Sequence, residues 1–99
     1  MSNKFPQIIK SEGSILVEFI NSNCEPCAMI EPTLLQIKKS IGNRIEILVV
    51  EVDEVPEVVN LYNIHSVPTT ALFQNGELIW KTAEVLSKQK LLEKILDIF

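Results

Sequence analysis

Between residues 14 and 52 the apolar residues change their period twice, and that double switch leaves few architectures open to the chain. Ser14 to Ile20 (Ser-Ile-Leu-Val-Glu-Phe-Ile) is almost continuously apolar, with one carboxylate, Glu18, inside it, and reads as a buried strand. From Cys24 onward Ile30, Leu34, Ile37 and Ile41 recur at spacings of four, three and four, which gathers them on one side of a helix that Gly42 is placed to end. Met29 is grouped with this stripe as core. Arg44 to Val52 reads as a second buried strand. A helix of roughly 18 residues crossing between two strands makes them parallel, so the segment is a βαβ unit.

The remaining punctuation comes from single breakers. Phe5 to Glu12 reads as a short helix with Phe5, Ile8 and Ile9 on one face, ended by Gly13. Pro56 to Tyr62 reads as another, opened by a proline. Thr69 to Gln74 and Glu77 to Lys81 flank Asn75-Gly76, a two-residue hairpin signal. Ser87 to Phe99 reads as a helix N-capped by Ser87, with Leu91, Leu92, Ile95, Leu96 and Phe99 on its apolar face. The expected order is α-β-α-β-α-β-β-α. Ninety-nine residues are enough for one hydrophobic core and too few for two, so a single domain over 1–99 is expected.

Charge and composition exclude several function classes. The formal charge of −4 comes from 13 acidic against 9 basic residues, and the lysines are scattered, so a basic footprint for nucleic acid or anionic lipid is missing. Met1 to Gln7 lacks the apolar run of a signal peptide, and no stretch approaches a membrane span, so the expected address is the cytoplasm and no membrane partner is expected. Two cysteines three positions apart are a poor structural staple, because closing so short a loop contributes only about 2 kcal/mol.

The chemistry concentrates in Cys24-Glu25-Pro26-Cys27, where a strand hands over to a long helix. A sulfur at a helix N-terminus meets unpaired backbone N–H groups and the positive end of the macrodipole, which favour thiolate over thiol. Cys24 is therefore the expected nucleophile. Cys27, one turn on, is shielded and positioned to resolve a mixed disulfide intramolecularly. Pro26 suits the first turn and stiffens the loop between the sulfurs. Glu25 places a negative charge beside the thiolate, opposing the dipole. The pair has two plainer readings, a couple of small buried hydrophobes and half of a zinc site. Zinc takes about four ligands, and beyond the two thiols the chain offers one histidine, His65, which reads as a loop residue.

These motifs occur together in one order: Ile-Leu-Val-Glu-Phe-Ile (15 to 20), Cys-Glu-Pro-Cys (24 to 27), Met-Ile-Glu-Pro (29 to 32), Val-Asp (52 to 53), Val-Pro-Thr (67 to 69) and Asn-Gly-Glu (75 to 77). Over roughly residues 5 to 99 the chain resembles the thioredoxin family. The resemblance implies an α/β thioredoxin fold: a central mixed four-stranded sheet, without the family's first strand, flanked by about four helices. It implies a protein thiol–disulfide oxidoreductase that reduces client disulfides, takes part in electron transport and cell redox homeostasis, and is recycled by an upstream reductase. It further implies a monomer whose only redox group is the Cys24–Cys27 disulfide, with no bound cofactor or metal. Residue by residue, Pro68 matches the family's cis-proline beside the sulfurs and Val67 the residue whose backbone pairs with substrate. Glu18 matches the buried acid that helps move the proton of the resolving cysteine, and Pro32 the proline inside the long helix.

The departures bear on clients. Ile20, Asn21, Ser22 and Asn23 stand where the family has aromatics ahead of the first cysteine, Glu84 stands where it has a small glycine beside the substrate groove, and Val49 stands where a lysine often neighbours the buried acid. With Glu25 these make a polar, acidic rim, so Asn23, Glu25 and Glu84 join Val67 as candidate substrate contacts and basic clients are favoured. Two alternatives within the same fold are a redox-idle binding scaffold and an oxidase or isomerase.

Overall fold

The structure, a computed structural model, describes residues 13–98. In chain order its elements are β1 (Ser14–Ile20), α1 (Glu25–Ile41), β2 (Glu46–Glu51), α2 (Pro56–Leu61), β3 (Thr69–Gln74), β4 (Glu77–Thr82) and α3 (Lys88–Ile98), with single 3-10 turns at Gly42–Arg44 and Val52–Glu54. The strands form one mixed sheet in the order β2-β1-β3-β4, parallel between β1 and β2 and antiparallel elsewhere. This is the expected thioredoxin fold with its four-stranded sheet. Three of the expected helices are among the described residues. The expected helix over Phe5 to Glu12, the strand expected to be missing ahead of β1, and Phe99 lie outside them.

Local chemistry accounts for the boundaries. Cys24 is extended at φ −107° and caps α1, with Pro26 in the first turn, where its missing N–H costs nothing. Gly42, at φ 69°, ends the helix and sends its N–H to the Lys38 carbonyl. Between β3 and β4, Asn75 (φ 52°) and Gly76 (φ 86°) take the left-handed conformations that a two-residue hairpin needs. The hairpin tip is latched to the start of β1: Gly13 N–H donates to Asn75 Oδ1 and Asn75 N–H to the Gly13 carbonyl, both at 2.9 Å. Ser87 caps α3 by accepting the Lys90 N–H at 3.2 Å.

Alternation along β1 and β3 splits the core into two layers. Ile15, Val17, Phe19, Ala71 and Phe73 pack on the α2 side with Val58 and Ile64, and the Tyr62 and Phe73 rings meet in a T-shaped arrangement with centroids 5.0 Å apart. Leu16 and Leu72 pack on the other side against Ile30, Leu34 and Ile37 of α1 and Leu91 and Ile95 of α3.

Three expectations about burial are corrected. The second strand starts at Glu46 rather than Arg44 and is half-exposed, with Val49 at 49%, because it is the outermost strand of the described sheet and has a neighbour on one side only. Met29 is 68% exposed: the buried side of α1 runs through Cys27, Ile30, Leu34, Ile37 and Ile41, and Met29 lies a 100° step away from Ile30. Leu96 is 53% exposed for the same reason, one step beyond the buried Ile95.

Candidate active site

The C-terminal end of β1, the N-terminus of α1 and the segment entering β3 meet at one end of the sheet. Loop residues 21–24 turn tightly, with the Cys24 N–H donating to the Asn21 carbonyl at 3.2 Å. Cys24 and Cys27 are joined as a disulfide, with Cα atoms 5.3 Å apart. The two sulfurs are not equivalent. Cys24 is half-exposed at the N-cap and its Sγ accepts the backbone N–H of Cys27 at 3.1 Å, whereas Cys27 lies on the buried side of α1 and is 5% exposed. Pro26 and Glu25 are exposed between them. Pro32, also exposed, sits inside α1 and has no N–H to offer the Ala28 carbonyl.

By alternation β1 carries Glu18 on the α1 side of the sheet, two residues from Leu16. It is fully buried. Its Oε1 accepts the Thr70 hydroxyl at 2.6 Å, while Oε2 has no partner among the described residues. Burial raises the carboxyl from its ordinary 4.5 to about 7, the Thr70 hydroxyl opposing that rise. Val49 is the β2 residue in register with Glu18, so the wall on that side is apolar.

The Val67–Pro68 peptide bond is cis, as the resemblance implies. Phe19 is in register with Thr69, which places Pro68 and Val67 at the same end of the sheet as the loop before Cys24. A pocket of about 210 Å³ lined by Asn21, Val67, Ser66 and Ile64 lies between them. Pro68 is buried and Val67 half-buried. Thr69 Oγ1 donates to the Ser66 carbonyl at 2.7 Å, and Lys81 Nζ crosses from β4 to the carbonyls of Tyr62 (2.9 Å) and Asn63 (2.6 Å), so this segment is tied down at both ends.

The rim residues are on the surface. Asn23, Ser22 and Glu25 are exposed beside Cys24. Glu84 is exposed beyond β4, its N–H held by Thr82 Oγ1 at 3.2 Å, and its carboxylate has no polar partner among the described residues. It follows Thr82 and Ala83, which line a pocket of about 170 Å³ with His65 and Ser66, and so flanks the cis-proline segment.

Sequence reasoning missed Thr70, Thr69 and Lys81. The signal for the threonines was a polar pair opening the otherwise apolar strand Thr-Thr-Ala-Leu-Phe. No comparable signal marks Lys81, whose acceptors are two backbone carbonyls. Among the described residues, no group of three or more His, Cys, Asp or Glu side chains is arranged to hold a metal ion, and no helix is long and apolar enough to cross a membrane.

Comparison with known proteins converges on the same geometry. The family model described as Thioredoxin matches residues 1–97. The chain is 38% identical over 71 residues to the thioredoxin of Rickettsia bellii, spanning 72% of this chain and 68% of that one. It is 32% identical over 85 residues to the thioredoxin of Bacillus subtilis, spanning 86% and 82%. Among solved structures, a mutant thioredoxin from Halobacterium salinarum superposes with a TM-score of 0.84 at 22% identity, covering 98% of this chain and 84% of that one. A chain from a structure of the thiol resolving mechanism of a yeast mitochondrial 1-Cys peroxiredoxin superposes with a TM-score of 0.85 at 24% identity, covering 98% and 92%. At these identities the structural likeness speaks for the fold.

Proposed function

The chain belongs to the thioredoxin family and is a thiol–disulfide oxidoreductase, and from that premise we propose that it reduces protein disulfides through Cys24, with Cys27 as the resolving thiol. In the reduced protein the Cys24 thiolate attacks a client disulfide, and one client sulfur leaves with the electron pair of the broken bond. Cys27 then attacks the Cys24 sulfur, its proton passing to Glu18, directly or across one water, and the second client sulfur leaves. The client gains two electrons and two protons, and the protein is left with the Cys24–Cys27 disulfide. A reductase that returns two electrons closes the cycle.

The observation that carries the reading is the inequality of the two sulfurs: the half-exposed one sits at a helix N-cap accepting an N–H, the other is buried one turn on. Pro26 holds their spacing, and Pro68 and Val67 offer a client strand a backbone edge beside them. Asn23, Glu25 and Glu84 give that surface its acidic, polar character and favour basic clients. We further propose that residues 1–99 work as one domain, as a monomer, in the cytoplasm.

Insulin-disulfide reduction in the presence of dithiothreitol tests the assignment. Cys24→Ser is expected to abolish the protein's contribution, and Cys27→Ser to accumulate a covalent client adduct. A Cys24→Ser protein as active as the unaltered one removes the proposal. The direction of electron flow is read from the reduction potential, where a value near about −270 mV marks a reductant and one near about −120 mV an oxidant.

A further inference from the structure

The two threonines that open β3 project to opposite faces of the sheet. Thr69 ties the cis-proline segment through the Ser66 carbonyl, and Thr70 ties the buried acid through Glu18 Oε1. Thr70 is 2% exposed and β-branched, so its side chain has neither solvent to turn toward nor much rotamer freedom. Valine would fill the same volume, and the strand continues with Ala71, Leu72 and Phe73, all buried. A hydroxyl in that place is accounted for by its acceptor. A free carboxylate presents two chemically equal oxygens. Here one is occupied by a short hydrogen bond, and the other is buried and bare.

We infer that Thr70 is a positioning residue for the disulfide exchange: by holding Oε1 it fixes the Glu18 carboxyl so that Oε2 is the atom that takes up and returns the proton of Cys27. This rests on the reading of Glu18 as the proton acceptor. In the resolving step the Cys27 S–H proton moves to Oε2, the Cys27 sulfur bonds to Cys24, and the Cys24–client bond breaks with its electron pair going to the client sulfur. Glu18 later gives the proton back to a thiolate. The hydroxyl, as a donor, favours the ionised carboxylate against the burial that disfavours it. No charged group on the elements packed around this layer contributes: not Glu25, Glu31 or Lys38 of α1, Glu46 or Glu51 of β2, Lys81 of β4 or Lys94 of α3.

The test pairs Thr70→Val, which keeps the shape and removes the donor, with Thr70→Ser, which keeps the donor. The Glu18 carboxyl is titrated by carbon-13 NMR in the oxidised protein. The resolving step is followed by stopped-flow release of thionitrobenzoate from the Cys24 mixed disulfide as a function of pH. Thr70→Val is expected to move the Glu18 midpoint, and with it the pH profile of release, upward by about one pH unit, a roughly tenfold loss of ionised acid on the rising limb. Thr70→Ser is expected to restore both. An unmoved midpoint in Thr70→Val, or a Thr70→Ser midpoint displaced as far, overturns the role of Thr70 while leaving Glu18 as acceptor to be judged by Glu18→Gln. A midpoint that moves while Glu18→Gln releases the thiolate as fast as the unaltered protein at every pH overturns the inference through the acceptor reading instead.

Discussion

The two faces of β1 and β3 divide the work of the molecule. Against α2 the sheet presents Ile15, Val17, Phe19, Ala71 and Phe73, a layer apolar apart from Thr69 at the start of β3. Against α1 the same strands present Leu16 and Leu72 but also Glu18 and Thr70, both buried. The layers are built from alternate residues of the same two strands, so their difference is one of chemistry rather than architecture. The α2 layer gains all it can from removing apolar surface from water. The α1 layer gives up part of that gain to keep a buried carboxyl among apolar neighbours, where the low dielectric raises its proton affinity. The stability of this protein should accordingly be insensitive to pH on one side of the sheet and sensitive on the other.

The largest expected effect lies in the apolar layer. Phe73→Ala should lower unfolding stability by about 3–5 kcal/mol in urea titrations, by the same amount in acid and in mild alkali. A loss that changes with pH breaks the comparison. Next comes Glu18. Its folded-state value of about 7 lies above the unfolded 4.5, so its contribution is fully present below 4.5 and is lost as pH rises through 7. Relative to Glu18→Gln, the unaltered protein should lose about 2.5 kcal/mol between about pH 5 and pH 8. Parallel stability curves for the two would mean that the acid is not held as described. On α3, Leu91→Ala should cost about 2–5 kcal/mol and Leu96→Ser less than about 0.5 kcal/mol, locating the outer boundary of the α1 layer. Smallest is Glu25→Gly. Removing a negative charge beside the Cys24 thiolate steadies the reduced form and should move the potential in the oxidising direction by up to about 20 mV against glutathione.

How much of this was legible in the sequence follows the range of the interactions. The helix α1 was readable in detail because Ile30, Leu34, Ile37 and Ile41 repeat every turn and Gly42 stops them, and the hairpin was readable because Asn75-Gly76 supports positive φ where few other pairs do. Ser14–Ile20 was delimited correctly for a similar reason. The β2 run gave its type away but not its place, since an apolar strand at the edge of a sheet and one at its centre carry much the same residues. Met29 and Leu96 show a related limit: one step of 100° separates core from surface, and hydrophobicity alone does not resolve it. The partnership of Glu18 with Thr70 was out of reach because it spans 52 positions and exists only once β1 and β3 pair in this register.

The tethering of the segment before β3 has a consequence for recognition. Lys81 pins the carbonyls of Tyr62 and Asn63 and Thr69 pins that of Ser66, so the backbone around Val67, proposed above as the client edge, is tied on both sides in the free protein. Nearly all the freedom lost on docking is then the client's own. Slack, locally unfolded chains around a disulfide lose the most on binding and rigid ones the least, so on the proposed reading stiffness joins charge as a property that sets how well a client docks.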